Sequence, residues 1–322
     1  MPRLGITLAG IAVALAAVGP TPVQSQDWTR REFPLAPPNS HSNFVAPFFD
    51  GYYQNEDGTY TLSFGFMNRN EADLIEIPLG PDNFIEPAIY DGRQPTSFPV
   101  VSYPGFGGPR ERGVFTVVVP EDFEGDVWWT LTTDGYTTKV PGRIEGRFEG
   151  LIGFESAYAL SITPQAEGSQ RPIVRFSENG PEGHDLTGIE YPSELTAKVG
   201  TPVEVRFWAF DRGERELADV NMSLWKHQGP VGGTIAFESL MEIPEGVRAR
   251  GTVRAPGPID VGRPARIPIT GTEPNMGRFR ATFDTPGEYV IRIRVDNFTS
   301  GDSAMGNQCC WTNGYVRVSV TE

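Results

Sequence analysis

The two cysteines of the chain are adjacent, Cys309-Cys310, and Trp311 follows them directly. Two thiols in an oxidising compartment pair. Neighbouring Cα atoms across a trans peptide stand about 3.8 Å apart, inside the usual lower limit for a disulfide. A vicinal Cys309–Cys310 bridge would therefore be stiff, strained and easier to reduce than an ordinary one. It would make a rigid apolar knuckle beside an indole, a platform for a sugar ring or an aromatic ligand. Asp302 and Asn307 in the same segment add polar atoms to that contact surface. Two other uses are open to the same thiols. As thiolates beside Met305 they form a soft set for Cu(I) or, with a histidine, for Zn(II). Each could also bridge to another chain. Asp296, Asn297 and Asn313 join Asp302 and Asn307 as oxygen donors for calcium, but the spacing of a calcium-binding loop is absent and solvated turn residues explain them more simply.

Arg292 and Arg294 alternate on one expected strand and Arg317 falls on the next. If these strands pair, the three guanidinium groups share a face and could grip a carboxylated or sulfated partner bidentately. The plainer reading is a solvated, charged sheet face. Signs of catalysis are few. His41, His184 and His227 lie far apart, each in a segment that reads as a loop, and no nucleophile elbow, zinc-protease motif or phosphate loop occurs. Nothing in the spacing of the acids singles out a pair for glycoside hydrolysis. No catalytic residue and no cofactor is therefore assigned, the alternative being a soft metal ion at the dithiol.

Those side chains need elements to position them. Of 322 residues, 39% are hydrophobic and 11% aromatic, enough for one or two cores, and the net charge of −14 disfavours a nucleic-acid partner. Residues 1–25 read as a secretory signal peptide: Arg3, the apolar run Leu4–Val18, helix-breaking Pro20 and Pro22, then small residues Val23 and Ser25. The run is shorter than the roughly 20 residues that span a bilayer, so no membrane span is expected after cleavage. The expected destination is the bacterial periplasm or the cell exterior.

Beyond the signal, period-two alternation prevails over helical periodicity. Tyr60, Leu62, Phe64 and Phe66 alternate with small or polar residues, and Val127, Trp129 and Leu131 alternate with Trp128 and Thr130. Asp134-Gly135 between threonine-rich flanks marks a two-residue hairpin turn. The irregular segment Asp91–Gly113 could form a binding lip, but cover of a sheet edge is the plainer expectation. From Val203 onward the inward sets are Val203/Val205/Phe207/Ala209, Phe279/Ala281/Phe283, Tyr289/Ile291/Ile293/Val295 and Val316/Val318/Val320. The fold class is all-β: two β-sandwich domains in tandem, 26–162 and 191–322, joined by a linker at 163–190 where alternation lapses.

Val199-Gly200-Thr201-Pro202-Val203-Glu204-Val205, Trp225, Asp284-Thr285-Pro286-Gly287-Glu288-Tyr289-Val290-Ile291 and Tyr315–Val320 resemble an immunoglobulin-like domain of the bacterial or PKD type. The resemblance covers about 190–322 and implies a sandwich with a corner tyrosine, Tyr289, whose hydroxyl reaches back to the backbone. An inter-sheet cysteine pair is absent, and Gly229–Met276 is longer than such a domain requires. Modules of this type act as spacers, adhesion units or ligand-binding units. The function expected is a non-catalytic binding or scaffold role at the cell envelope, toward a protein or a glycan. The alternatives are copper or zinc binding or thiol redox chemistry, and an accessory role in carbohydrate breakdown.

Overall fold

Residues that alternate in sequence emerge on opposite faces of a strand, and the chain uses this to build two cores. The computed structural model describes residues 44–70, 74–102, 108–144, 170–183, 187–213, 215–241, 252–254, 265–298 and 310–322. Residues 1–25, expected to be a signal peptide, lie outside the described residues, as do His41, His184, Asp302, Met305, Asn307 and Cys309.

The first core is enclosed by sheets ordered β1-β2-β7 and β4-β8-β9. These strands are β1 (Val45–Gln54), β2 (Tyr60–Asn68), β4 (Asn83–Glu86), β7 (Glu111–Val119), β8 (Val127–Thr133) and β9 (Tyr136–Gly142). Two short strands, β3 (Ile75–Glu76) and β5 (Ser97–Phe98), pair beside them, and β6 (Val100–Ser102) follows. Leu62, Phe64, Phe66, Val127, Trp129 and Leu131 are all buried, as the alternation requires. Phe115 stacks on Phe64 at 5.2 Å and meets Trp129 edge-on at 4.9 Å. The indole N–H of Trp129 donates to Asn83 Oδ1 at 3.1 Å, and the Asn83 amide donates to the Ile77 and Pro95 carbonyls. The one polar atom of the largest core side chain is thus satisfied. Asp134 and Gly135 both take positive φ, 49° and 79°, the geometry a tight β8–β9 turn demands.

The second core lies between sheets ordered β10-β13-β18-β15 and β11-β20-β19-β14-β17, with β12 alongside β20. The strands are β10 (Ile173–Arg175), β11 (Ile189–Glu190), β12 (Leu195–Lys198), β13 (Val203–Phe210), β14 (Val220–Gln228), β15 (Ile235–Ser239), β17 (Ala265–Ile267), β18 (Met276–Phe283), β19 (Gly287–Asp296) and β20 (Trp311–Thr321). Each expected inward set faces this core. Tyr289 Oη donates to the Thr285 carbonyl at 2.9 Å, the backward reach that the resemblance implied.

Two features add to the sequence reading. β10 and β11 fall within 163–190, where alternation lapses, yet β10 pairs with β13 and places Val174 in the second core. Within the long segment after Gly229, β16 (Thr252–Arg254) pairs antiparallel with β6 of the first half. Residues 38–322 accordingly form one compact unit.

β14 shows why the halves adhere. Every residue from Val220 to His227 is buried, so both faces of the strand are covered. One face packs in the second core. The other, carrying Trp225 and His227, needs a cover, and residues 92–96 with β7 supply it. The Thr96 N–H donates to the His227 carbonyl at 2.8 Å. The Gln228 amide donates to the carbonyls of Gly92 and Gln94, at 2.9 and 2.8 Å. Lys226 pairs with Glu76 and donates to the Pro230 and Gly233 carbonyls. The Asp91–Gly113 segment thus covers a sheet face in its described part, where an edge had been expected. No helix among the described residues is long and apolar enough to cross a membrane.

Candidate functional site

The loop between β19 and β20 springs from a tightly bonded base. Asp296 is buried and its Oδ1 accepts from Asn221 Nδ2 at 2.9 Å and from the Phe298 N–H at 3.2 Å. The Asn297 amide donates to the Gln170 carbonyl and to Asp211 Oδ1, at 2.9 and 3.0 Å. Asp211 is held in turn by Arg215 and by the Ala218 N–H at 2.8 Å. Three strand ends are tied together here, so the loop begins and ends on fixed points.

Cys310 is buried immediately before β20, and none of the described residues is a free cysteine. Trp311 opposes Asp296 across the β19–β20 pair, and its ring meets Phe298 at 5.8 Å. At 2% exposure Trp311 does not present its indole as a platform, which corrects the expectation of an open contact surface at that residue. The physical reason is its place inside the strand, packed on Phe298. Among the described residues no three metal-ligating side chains converge.

The arginine face is the larger surprise. Register places Arg317 beside Val290, Tyr315 opposite Arg292 and Asn313 opposite Arg294, so the three arginines do share one face of the sheet. That face is not solvated. Arg292 and Arg294 are 1% and 6% exposed because β7 lies over them. Arg292 Nη2 and Arg294 Nη1 both donate to Glu111 Oε1, at 2.6 and 3.1 Å, and Glu111 is itself fully buried. Trp225 lies under both guanidinium groups, 4.9 and 5.7 Å from its ring centre. Asn313 Nδ2 donates to the Gly113 carbonyl at 2.8 Å and Tyr315 Oη to the Val114 carbonyl at 3.0 Å. The carboxylate expected from an outside partner is supplied by the chain itself. Only Arg317 remains half exposed, 3.7 Å from Glu190.

His227 is the one histidine among the described residues. Its Nε2 bonds the Arg93 carbonyl at 2.8 Å and its ring lies 5.2 Å from that of Tyr315. Burial, with Arg292 and Arg317 nearby, lowers its pKa to about 3 despite the Arg93 bond. It is a neutral structural group at ordinary pH, unsuited to general acid–base work, which needs a pKa near the operating pH.

Glu111, Lys226 and His227 escaped the sequence reading as a group. The available signal was Trp225, a large aromatic at an outward position of a strand whose inward positions were already apolar. Such a strand is covered on both sides.

No family model matches the chain, and a search of curated proteins finds no match. Among solved structures it is similar to domains 4 and 5 of the S-layer protein SbsC, at 10% identity over 63% of this chain and 69% of that one, with a TM-score of 0.22. It is similar also to the C-terminal domain of the AgI/II polypeptide BspA of Streptococcus agalactiae, at 10% identity over 86% of this chain and all of that one, with a TM-score of 0.19. Agreement at this level assigns neither family nor role, and the all-β architecture is read from the chain's own sheets and cores.

Proposed function

We propose that the chain is an exported, non-catalytic binding or scaffold protein of the periplasm or cell exterior, directed at an envelope protein or glycan. Its contact surface is the loop end between β19 and β20, stiffened by a vicinal Cys309–Cys310 bridge. One observation carries this reading. The buried polar side chains with the most chemical potential, Glu111, Arg292, Arg294 and His227, are engaged in joining the two halves. That arrangement favours a rigid support that projects a loop.

Intact mass of the protein from its native compartment, taken under native and then denaturing non-reducing conditions, tests the reading. The expected result is a chain without its signal segment, two hydrogens lighter than the reduced form, with no metal adduct. The C309S/C310S variant should stay folded and keep saturable association with isolated envelopes. A metal adduct that leaves free thiols on denaturation would overturn the reading in favour of copper or zinc handling.

A further inference from the structure

Beside the buried arginines a small cleft opens on the seam between the halves, with about 30 Å³ of interior room. Arg93 and Arg317 line it from opposite halves, with Thr187, Glu190, Gln228 and Tyr315 between them. The cleft is held in shape by buried bonds. The carbonyls of Gly92 and Arg93 are held by Gln228 and His227, which fixes the backbone that carries the Arg93 side chain. Tyr315 is anchored by its hydroxyl to Val114.

The unsatisfied bonding capacity in the cleft is specific. Arg93 has no ion pair among the described residues, and Arg317 touches Glu190 only loosely, at 3.7 Å, so two guanidinium groups offer donors. Thr187 Oγ1 accepts from Thr116 Oγ1 at 3.1 Å and keeps its own proton to donate. Gln228 uses its amide nitrogen on Gly92 and Gln94, which leaves Oε1 as an acceptor alongside the Glu190 carboxylate. The surrounding field is cationic in an otherwise acidic protein. Burial pushes the Tyr315 hydroxyl up to about 12 against the pull of Arg292 and Arg93.

We propose that this cleft is a binding site for the carboxylate of a small hydroxylated acid, a uronic-acid residue of a glycan. The carboxylate takes the donors of Arg93 and Arg317. The cleft admits the carboxylate, and the ring, too large for its interior, lies across the mouth, where its hydroxyls give to Glu190 and Gln228 Oε1 and take from Thr187. A peptide C-terminus suits the site less well, because its recognition uses a nest of backbone N–H groups and the donors here are side chains. The site is separate from the loop end and stands or falls without it.

Titration of the full mature chain by two-dimensional NMR at low salt tests this, with D-glucuronate, D-glucose and acetate as probes. Saturable glucuronate binding at one site, in the range of about 0.1–10 mM, is expected. Acetate should bind at least about 10-fold more weakly and glucose not at all. R93A and R317A, both at exposed or half-exposed positions, should each weaken glucuronate about 10-fold while leaving the spectrum otherwise native. Absence of saturation, equal binding of acetate, or glucuronate binding that survives the double variant would each overturn the proposal. So would tighter binding of a short peptide through its free C-terminus.

Discussion

Removal of the Glu111 carboxylate is the sharpest test of how the two halves cohere. Glu111 has no exposed side-chain surface, and the Arg292 and Arg294 side chains that share it are 2% and 7% exposed. Glu111→Ala therefore leaves two desolvated guanidinium groups without the oxygen they hold in common. Breaking a buried ion pair by deleting one partner costs about 3–5 kcal/mol. If residues 38–322 unfold together, the unfolding entropy of a unit that size is about 0.6 kcal/mol/K. The expected fall in Tm is then about 5–8 °C, in a single calorimetric transition. The triple variant E111L/R292M/R294M replaces charge with apolar volume and should recover most of the loss, since apolar replacement of such triads is often neutral or better. A fall below about 1 °C for Glu111→Ala would refute the reasoning, and so would two transitions with only one displaced.

Three further outcomes rest on single side chains. His227 titrates near 3 when folded against an ordinary 6.5, so the unfolded chain binds its proton first as pH falls. Its contribution is complete above about pH 6.5 and is lost below it at up to about 1.4 kcal/mol per pH unit; urea melts at pH 7 and 4.5 should differ by clearly less in His227→Gln than in the parent. Tyr289→Phe deletes the bond to the Thr285 carbonyl and should cost about 1 kcal/mol in urea unfolding, with no change in slope. Gly142→Ala would drive a Cβ into the ring of Phe64, and the overpacked first core should lose about 1–3 kcal/mol, read as a lower urea midpoint.

Much of the fold was legible because a strand writes its faces into alternate residues. The sets running from Val203 to Ala209 and from Tyr289 to Val295 name their own core side, and Asp134-Gly135 names its own turn. What alternation does not reveal is what lies over the outer face. Arg292 and Arg294 carry the same letters whether they meet water or Glu111, a residue 181 and 183 positions away. The solvated arginine face failed for that reason, and so did the open indole of Trp311, whose burial depends on Phe298 and the strand around it. Val174 could join a core from a segment that composition marks as a linker because three residues suffice for an edge strand.

The pairing of β6 with β16 also sets an order of events during synthesis. Val101 finds Val253, and Asn313 finds Gly113 across 200 residues. Contacts so distant in sequence close late, after local hairpins have formed. The first core can assemble while the second is still emerging, whereas the Trp225 face stays bare until both exist. A nascent chain in that interval displays an aromatic sheet face with no cover, the kind of surface that associates with other copies. If the chain is exported as proposed, passage in an extended state and release of the whole chain at once would shorten that interval. Expression of residues 191–322 alone makes it permanent.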